Sequence, residues 1–297
     1  MKQIAKWIGV ILGGLLALLA IAAVSLYFVG GNRLSNAPEV AAVPVAMATD
    51  AGAVERGRQW AQVSACTACH GTQLEGAAFT EGAPIGYVSA PNLTTGAGGV
   101  GAKYEPADWE LAIRHGVNAA GETMVIMPSY HYDSYGDEDL ADLIAYLEAM
   151  PAVDNEVGER ELMFLGQIIF GVFAYNSWAV SVVDHTAVGG PVPAAEVTAE
   201  YGAYMVGVSS CGSCHAENLA GNYGQLDSPL GPNLTTLASS WTEEEFVTAV
   251  RTGQAPDGRQ ISTEMPWQHY AAMSDTQVQA LWAYLNTLEP LPDNDGG

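Results

Sequence analysis

Cys66-Thr67-Ala68-Cys69-His70 and Cys211-Gly212-Ser213-Cys214-His215 are one pattern, Cys-x-x-Cys-His, met twice in a chain of 297 residues. The two copies use all four cysteines, so none is left for a structural disulfide. Outward from them the flanking sequence repeats in step. Gly57 and Gly202 each stand nine residues before the first cysteine. Pro91-Asn92-Leu93-Thr94 is answered by Pro232-Asn233-Leu234-Thr235, and Arg114-His115-Gly116 by Arg251-Thr252-Gly253. Met127-Pro128 is answered by Met265-Pro266, and Ala145-Tyr146-Leu147 by Ala283-Tyr284-Leu285. The copies lie 145 residues apart at the cysteines and 138 at the Met-Pro pairs. Such drift is expected of duplicated domains whose surface loops changed length.

Two thiols three positions apart can add to the two vinyl groups of one haem, and the histidine that follows then supplies an axial nitrogen to the iron. A zinc ribbon would place its cysteine pairs roughly 15–20 residues apart, against 145 here. A redox dithiol does not call for the adjacent histidine and belongs after a strand. The reading is two covalently bound haem c groups, held by Cys66, Cys69, His70 and by Cys211, Cys214, His215. A sixth ligand must come from downstream. Met127 follows His70 by 57 residues and Met265 follows His215 by 50. Thioether ligation raises the potential. Met124 competes with Met127 but has no counterpart in the second copy. His131 and His269, four residues beyond each Met, leave bis-His ligation as an alternative. Met150, Met163, Met205 and Met273 read as core packing. A carbonyl in the Pro91 or Pro232 loop is expected to accept the Nδ1–H of the histidine and fix its ring. Arg114 and Arg251 are candidates for pairing with haem propionates, or are solvated helix residues. Gly57 and Gly202 are expected to let the first helix of each copy approach Tyr146 and Tyr284 of the last.

Each copy reads as helical. A helix leads into the motif. A middle helix follows Glu105-Pro106 in the first copy and the Thr242-x-x-Glu245 capping box in the second. The last helix shows the period of an amphipathic helix at Leu140, Leu143, Ile144, Leu147 and at Val278, Leu281, Trp282, Leu285; Ser274 with Gln277 is another capping box. Strand alternation of useful length is missing, so the fold class expected is all-α. No Ser/His/Asp arrangement, carboxylate pair or phosphate loop stands out.

The stretch Ile8–Val29 is uncharged and strongly apolar, long enough for a hydrocarbon core of ~30 Å. Lys2 and Lys6 precede it. The positive-inside rule puts the N-terminus in the cytoplasm and the rest outside. It is longer than a signal-peptide core, and the nearest small-x-small site, Ala46-Met47-Ala48, lies far downstream. A retained single-pass anchor in a bacterial cytoplasmic membrane is the expectation, with Ser35–Thr49 as an extended linker. A second uncharged run, Leu162–Val183, would as a single crossing carry the second motif into the cytoplasm, where haem is not normally attached to it. It is read as a helix or helical hairpin that lies in the interface, re-enters, or packs between the domains or on a partner subunit. Ten Lys and Arg against 33 Asp and Glu give a net charge of −23. That excludes nucleic acid as a partner and suits either a solvated acidic surface or a basic partner.

Taken together, the Cys-x-x-Cys-His, Pro-Asn-Leu-Thr, Met-Pro and Ala-Tyr-Leu elements resemble the class I cytochrome c family, duplicated as in membrane-anchored dihaem cytochromes of bacterial respiratory chains and dehydrogenases. The resemblance covers roughly residues 50–151 and 195–290 and not the anchor. It implies an all-helical fold around each haem with His/Met ligation: His70 with Met127, and His215 with Met265. The organisation expected is an anchor at 1–31, a linker at 32–52, a first domain at 53–151, a hydrophobic connector at 152–194, a second domain at 195–290 and a tail at 291–297. The function expected is electron transfer between redox protein partners of a respiratory or photosynthetic membrane complex, without catalysis by the chain itself. A dihaem peroxidase-like enzyme, which needs one open iron, is the alternative.

Overall fold

The computed structural model describes residues 2–222 and 231–294. Residues 223–230 of the expected second domain and 295–297 of the tail lie outside them. The chain opens with one helix, α1 (Lys2–Ser35), whose most apolar 18-residue window has a mean hydropathy of 2.6 and is bare of protein contact. By length and composition it can cross a membrane. Its last turn is docked, not free. Gly30 and Leu34 are buried. The Thr123 N–H donates to the Leu34 carbonyl (3.0 Å), and the Thr123 hydroxyl to that of Arg33 (2.9 Å). The helix thus outruns the boundary expected at residue 31. In the extended stretch after it, Val45 and Met47 lean on the core.

The first repeat comprises α2 (Ala53–Val63), the short α3 (Cys66–His70), a hairpin of β1 (Ala77–Thr80) and β2 (Gly86–Ala90), α4 (Pro106–Glu110) running on through a π turn at Leu111–His115, and α5 (Asp137–Ala149). The connector supplies β3 (Glu161–Leu162), α6 (Phe164–Ile168) continued by a π turn to Phe173, and α7 (Ala179–Val182). The second repeat comprises α8 (Ala199–Val208), α9 (Gly212–His215), α10 (Glu243–Thr252), α11 (Trp267–Tyr270) and α12 (Asp275–Leu285).

The helices start where their caps dictate. Thr242 with Glu245 and Ser274 with Gln277 form reciprocal capping boxes, and Pro106 follows Glu105 at the head of α4, where its missing N–H has no cost. The periodic apolar positions of α5 and α12 face inward: Leu140, Ile144 and Val278 are wholly buried, and Trp282 packs on Phe246 with ring centroids 5.4 Å apart. In each repeat the first helix lies across the last at its glycine. A Cβ on Gly57 would overlap the Asp142 carbonyl oxygen and stand 2.7 Å from Tyr146 Cβ. One on Gly202 would overlap the Ala280 carbonyl oxygen and stand 2.6 Å from Tyr284 Cβ. Only a residue without a side chain permits that crossing.

Within the mostly helical fold there is a small antiparallel sheet, in the order β1-β2-β3. Its strands are two to five residues long, too short for alternation to emerge from sequence, and its third strand arrives from the connector about 70 residues on. The fold remains mostly helical.

The uncharged run 162–183 is not one helix. It breaks at Ala174–Trp178, where the Trp178 indole N–H donates back to the Phe170 carbonyl at 2.8 Å. The rest of the connector belts the first repeat. Asn92 Nδ2 donates to the Val153 carbonyl (2.7 Å), Tyr87 donates to the Val157 carbonyl, His185 meets His115 (2.8 Å), and Asp137 N–H donates to the Gly190 carbonyl (2.9 Å). The two repeats share one buried core. Gln59 Nε2 donates to the Ala272 carbonyl and to Gln277 Oε1, both at 2.9 Å, and Tyr204 donates to Asp139 at 2.6 Å.

Candidate haem sites

Each leading helix ends in a residue in the left-handed region, Ala65 and Ser210, both with φ 55°. That turn separates it from the next short helix, which carries Cys-x-x-Cys-His. The following loop folds on its Asn: Asn92 Oδ1 accepts from the Thr94 N–H (2.9 Å) and hydroxyl (2.8 Å), and Asn233 Oδ1 from those of Thr235 (2.9 and 2.7 Å). The amide nitrogens tie down the chain beyond the last helix, at Val153 and Leu291. The loop so held aims the carbonyl of Pro91 at His70 Nδ1 (2.8 Å) and that of Pro232 at His215 Nδ1 (2.7 Å). A carbonyl only accepts, so both rings carry their proton on Nδ1 and keep the Nε2 lone pair for a metal. Burial holds both histidines below their ordinary pKa, so they stay neutral.

Each histidine opens onto its own cavity. The first, about 960 Å³ with its mouth, is lined by Cys66, Cys69, His70, Pro91, Trp109, Met124 and Met127 among apolar neighbours. The second, about 1310 Å³, is lined by Cys211, Cys214, His215, Pro232, Arg259 and Met265. The two cysteine pairs serve separate cavities, which removes a shared zinc site. Burial pushes the Cys66 and Cys211 thiols up to about 12, the opposite of what a redox dithiol needs. Two groups in the cavity walls, the Trp109 indole N–H and the Ser209 hydroxyl, have no hydrogen-bond partner among the described residues. Two thiols and an oriented imidazole on one wall, a thioether elsewhere in the lining and an unused polar group fit a covalently held haem.

His131 and His269 line neither cavity. Burial lowers the His131 pKa to about 4, and its ring stands edge-on to Tyr130 and Tyr132. Met124 and Met127 share the first cavity, so geometry alone does not separate them. Arg114 and Arg251, the candidates for propionate pairing, are not among the residues that line the cavities. Arg114, wholly buried, donates to the Tyr135 carbonyl (2.6 Å) and pairs with Asp137 (2.8 Å), with Glu110 at 3.5 Å. Arg251 donates to the carbonyls of Ala271 (2.8 Å) and Met273 and pairs with Asp275 (2.8 Å). Both clamp the loop that enters the last helix of their repeat. The cation in a cavity wall is instead Arg259, which has no counterpart in the first repeat and so gave the sequence no signal.

A second missed pair was within reach. Tyr132 donates to the Ser64 carbonyl (3.0 Å) and Tyr270 to the Ser209 carbonyl (2.7 Å). Each stands one residue past the repeated His131 or His269. Ser210 in turn donates to the His131 carbonyl at 3.2 Å. A run of covalent and hydrogen bonds therefore joins Cys66 to Cys211 through Ser64, Tyr132, His131 and Ser210.

Comparison with known proteins follows the same division. The cytochrome c family model matches residues 54–151 and 199–289. The chain is 29% identical over 279 residues to the gluconate 2-dehydrogenase cytochrome c subunit of Pantoea cypripedii, covering 79% of this chain and 59% of that protein. It is 27% identical over 215 residues to a diheme cytochrome c-type protein of Cereibacter sphaeroides, covering 66% of this chain and 68% of that one. It is 28% identical over 134 residues to the cytochrome c subunit of the quinone alcohol dehydrogenase of Gluconacetobacter polyoxogenes, covering 41% of this chain and 28% of that subunit. The chain thus spans about three fifths or less of the dehydrogenase subunits it matches. These relatives favour electron transfer over the peroxidase-like alternative. The family match takes in both haem motifs and more than half of the residues, and the chain belongs to the cytochrome c family of electron carriers, which hold haem c covalently.

Proposed function

We propose that the chain is a dihaem electron carrier tethered to the outer face of a bacterial cytoplasmic membrane, passing electrons between a membrane or periplasmic dehydrogenase and a further redox protein. The observation that carries this reading is the duplicated geometry: in each cavity wall an imidazole fixed by a proline carbonyl stands with a methionine in the same lining. A bound haem supplies one-electron chemistry between ferrous and ferric iron. The chain's own residues do the rest. Cys66 and Cys69, and Cys211 and Cys214, would hold the groups by thioether bonds. His70 with Met127, and His215 with Met265, would ligate the two irons and leave neither open to substrate, so that the chain would be a carrier without catalysis of its own. Leu93, Ile113, Leu143 and Leu147 in the first cavity, and Leu234, Phe246, Leu281 and Leu285 in the second, exclude water, and Trp109 offers its free N–H to a propionate. The bonded run from Cys66 to Cys211 links the two sites. The helix α1 is the retained anchor, which raises the effective concentration of the carrier at membrane partners.

The test is haem content and the spectrum of the dithionite-reduced holoprotein with and without carbon monoxide. Two haems per chain and no change on adding the gas are expected. One haem per chain, or binding at half the haem, overturns the dihaem carrier. Met127→Ala and Met265→Ala should each open one iron to the gas and lower one of two midpoint potentials, while Met124→Ala should leave both in place. A Met124 variant that behaves like Met127→Ala would move the ligand.

A further inference from the structure

The connector has an outer surface that the two haem sites do not use. Between Leu162 and Val183 there is no charged residue. Met163, Phe164 and Leu165 are more than two fifths exposed, Val182 is half exposed, and Phe173 is 72% exposed. So many exposed large apolar side chains in one short uncharged segment mark a contact. Its place identifies the contact. The inner side of the helix from Phe164 to Phe173 lies backbone to backbone on the end of α1. A Cβ on Gly30 would stand 2.5 Å from the Gln167 carbonyl oxygen, and one on Gly171 would overlap Gly30 itself. Tyr27 stacks on Phe164 with centroids 5.2 Å apart and planes 9° off parallel. Gln167 Nε2 donates to the Tyr27 carbonyl at 3.3 Å, and the Arg33 guanidinium sits 4.9 Å over the Tyr175 ring.

The depth of this junction follows from lengths. The uncharged part of α1 runs from Trp7 to Asn32, 26 residues, about 39 Å of helix against a hydrocarbon core of ~30 Å. Tyr27–Gly31 therefore falls at the boundary where α1 leaves the core, and whatever is packed there lies at that level. The helix of ten residues at Phe164–Phe173 is about 15 Å long, half of what a crossing needs. Phe164, Phe170, Phe173, Tyr175 and Trp178 cluster within it and just after it, as aromatic side chains do at membrane boundaries. The charges resume at Arg33, Glu161 and Asp184.

We propose that Met163–Val183 is a lipid-facing foot: it lies in the headgroup and upper acyl region beside the exit of α1, with Phe173 and Phe164 turned into lipid. The foot holds the first haem domain against the bilayer instead of leaving it on a loose tether, and the shared core carries the second domain with it. This inference rests on α1 being the anchor.

The experiment uses the full-length holoprotein alone, reconstituted in phosphatidylcholine–phosphatidylglycerol vesicles whose acyl chains carry a photoactivated diazirine, with adducts mapped by peptide mass spectrometry. Adducts on α1 and on the peptides spanning 163–182 are expected. Adducts on α1 without the connector overturn the foot, give the surface to a protein partner and leave the anchor standing. No adducts on either overturn the anchor reading and the foot with it. Phe173→Glu, at an exposed position outside both haem cavities, should cut labelling of the 163–182 peptides at least severalfold while α1 labelling and the haem spectrum stay unchanged. Equal labelling in that variant overturns the lipid contact through this face.

Discussion

The two repeats agree in the frame that holds each Cys-x-x-Cys-His motif and differ in what covers that frame. His70 and His215 donate to proline carbonyls at 2.8 and 2.7 Å, Tyr132 and Tyr270 hold the turn before each motif, and Asn92 and Asn233 fold the same loop. Around these frames the coverings differ. The first repeat is wrapped by the end of α1, a three-stranded sheet and the connector, while the second carries Arg259 in its cavity wall. Duplication preserved what positions a haem. Among the described residues, the first copy gained a wrapping of connector and helix end that the second does not share.

The sharpest way to break this comparison is at the helix crossings. Gly57→Val and Gly202→Val should do equal damage, because both side chains would run into a backbone carbonyl that cannot turn aside. A loss of about 4 kcal/mol is expected from each, seen in guanidinium unfolding or as failure of the holoprotein to accumulate. If one position accepts valine and the other does not, the two frames are not equivalent.

The arginine clamps sharpen the comparison from the other side, since here the repeats should differ. Arg114→Met leaves the wholly buried Glu110 carboxyl with only His115 Nε2, at 3.2 Å, beside it and should cost about 3 kcal/mol. Arg251→Met removes two carbonyl hydrogen bonds and a pair with Asp275, which is 90% exposed, and should cost about 1–2 kcal/mol. Neither side chain lines a cavity, so both midpoint potentials should hold within error. A large shift in either would return that arginine to the haem.

The haem motifs, the caps and the glycine crossings were legible because each is a local pattern, most of them written twice, and repetition separates a signal from chance. Arg114 and Arg251 were also repeated, but repetition did not reveal the carbonyls they hold. A repeated cation shows that something anionic or carbonyl-rich is nearby, and only the fold reveals that this is the entry to the last helix. Arg259 could not be read at all, because it occurs once. The strands gave no signal because each is two to five residues long, and β3 pairs with β2 across a separation that no local window spans. The docking of α1 on the connector escaped because Gly30, Gly31 and Gly171 look like ordinary glycines in apolar runs until the two segments are laid together.

The smallest effect expected is at the seam between the repeats. Asp139 accepts from the Tyr204 hydroxyl at 2.6 Å, and burial raises its carboxyl pKa to about 6. A carboxyl held above its ordinary value binds its proton more tightly in the folded chain than in the unfolded one. The stability it lends is therefore complete below about pH 4 and is lost as pH rises through about 6. His131, which burial holds down near 4, acts in the opposite sense, since its share is present above about 6.5 and lost as pH falls. The two partly cancel in the native protein, and a single curve of stability against pH would not separate them. Asp139→Asn keeps an acceptor for Tyr204 and removes only the carboxyl titration. The variant should be more stable than the native protein by about 1–2 kcal/mol at pH 7, and the difference should close as pH falls to 4. If Asp139→Asn is less stable at pH 7 and the gap does not move with pH, the carboxylate is ionised and welcome at the seam. The two repeats would then be joined by a charged contact and not by a neutral one.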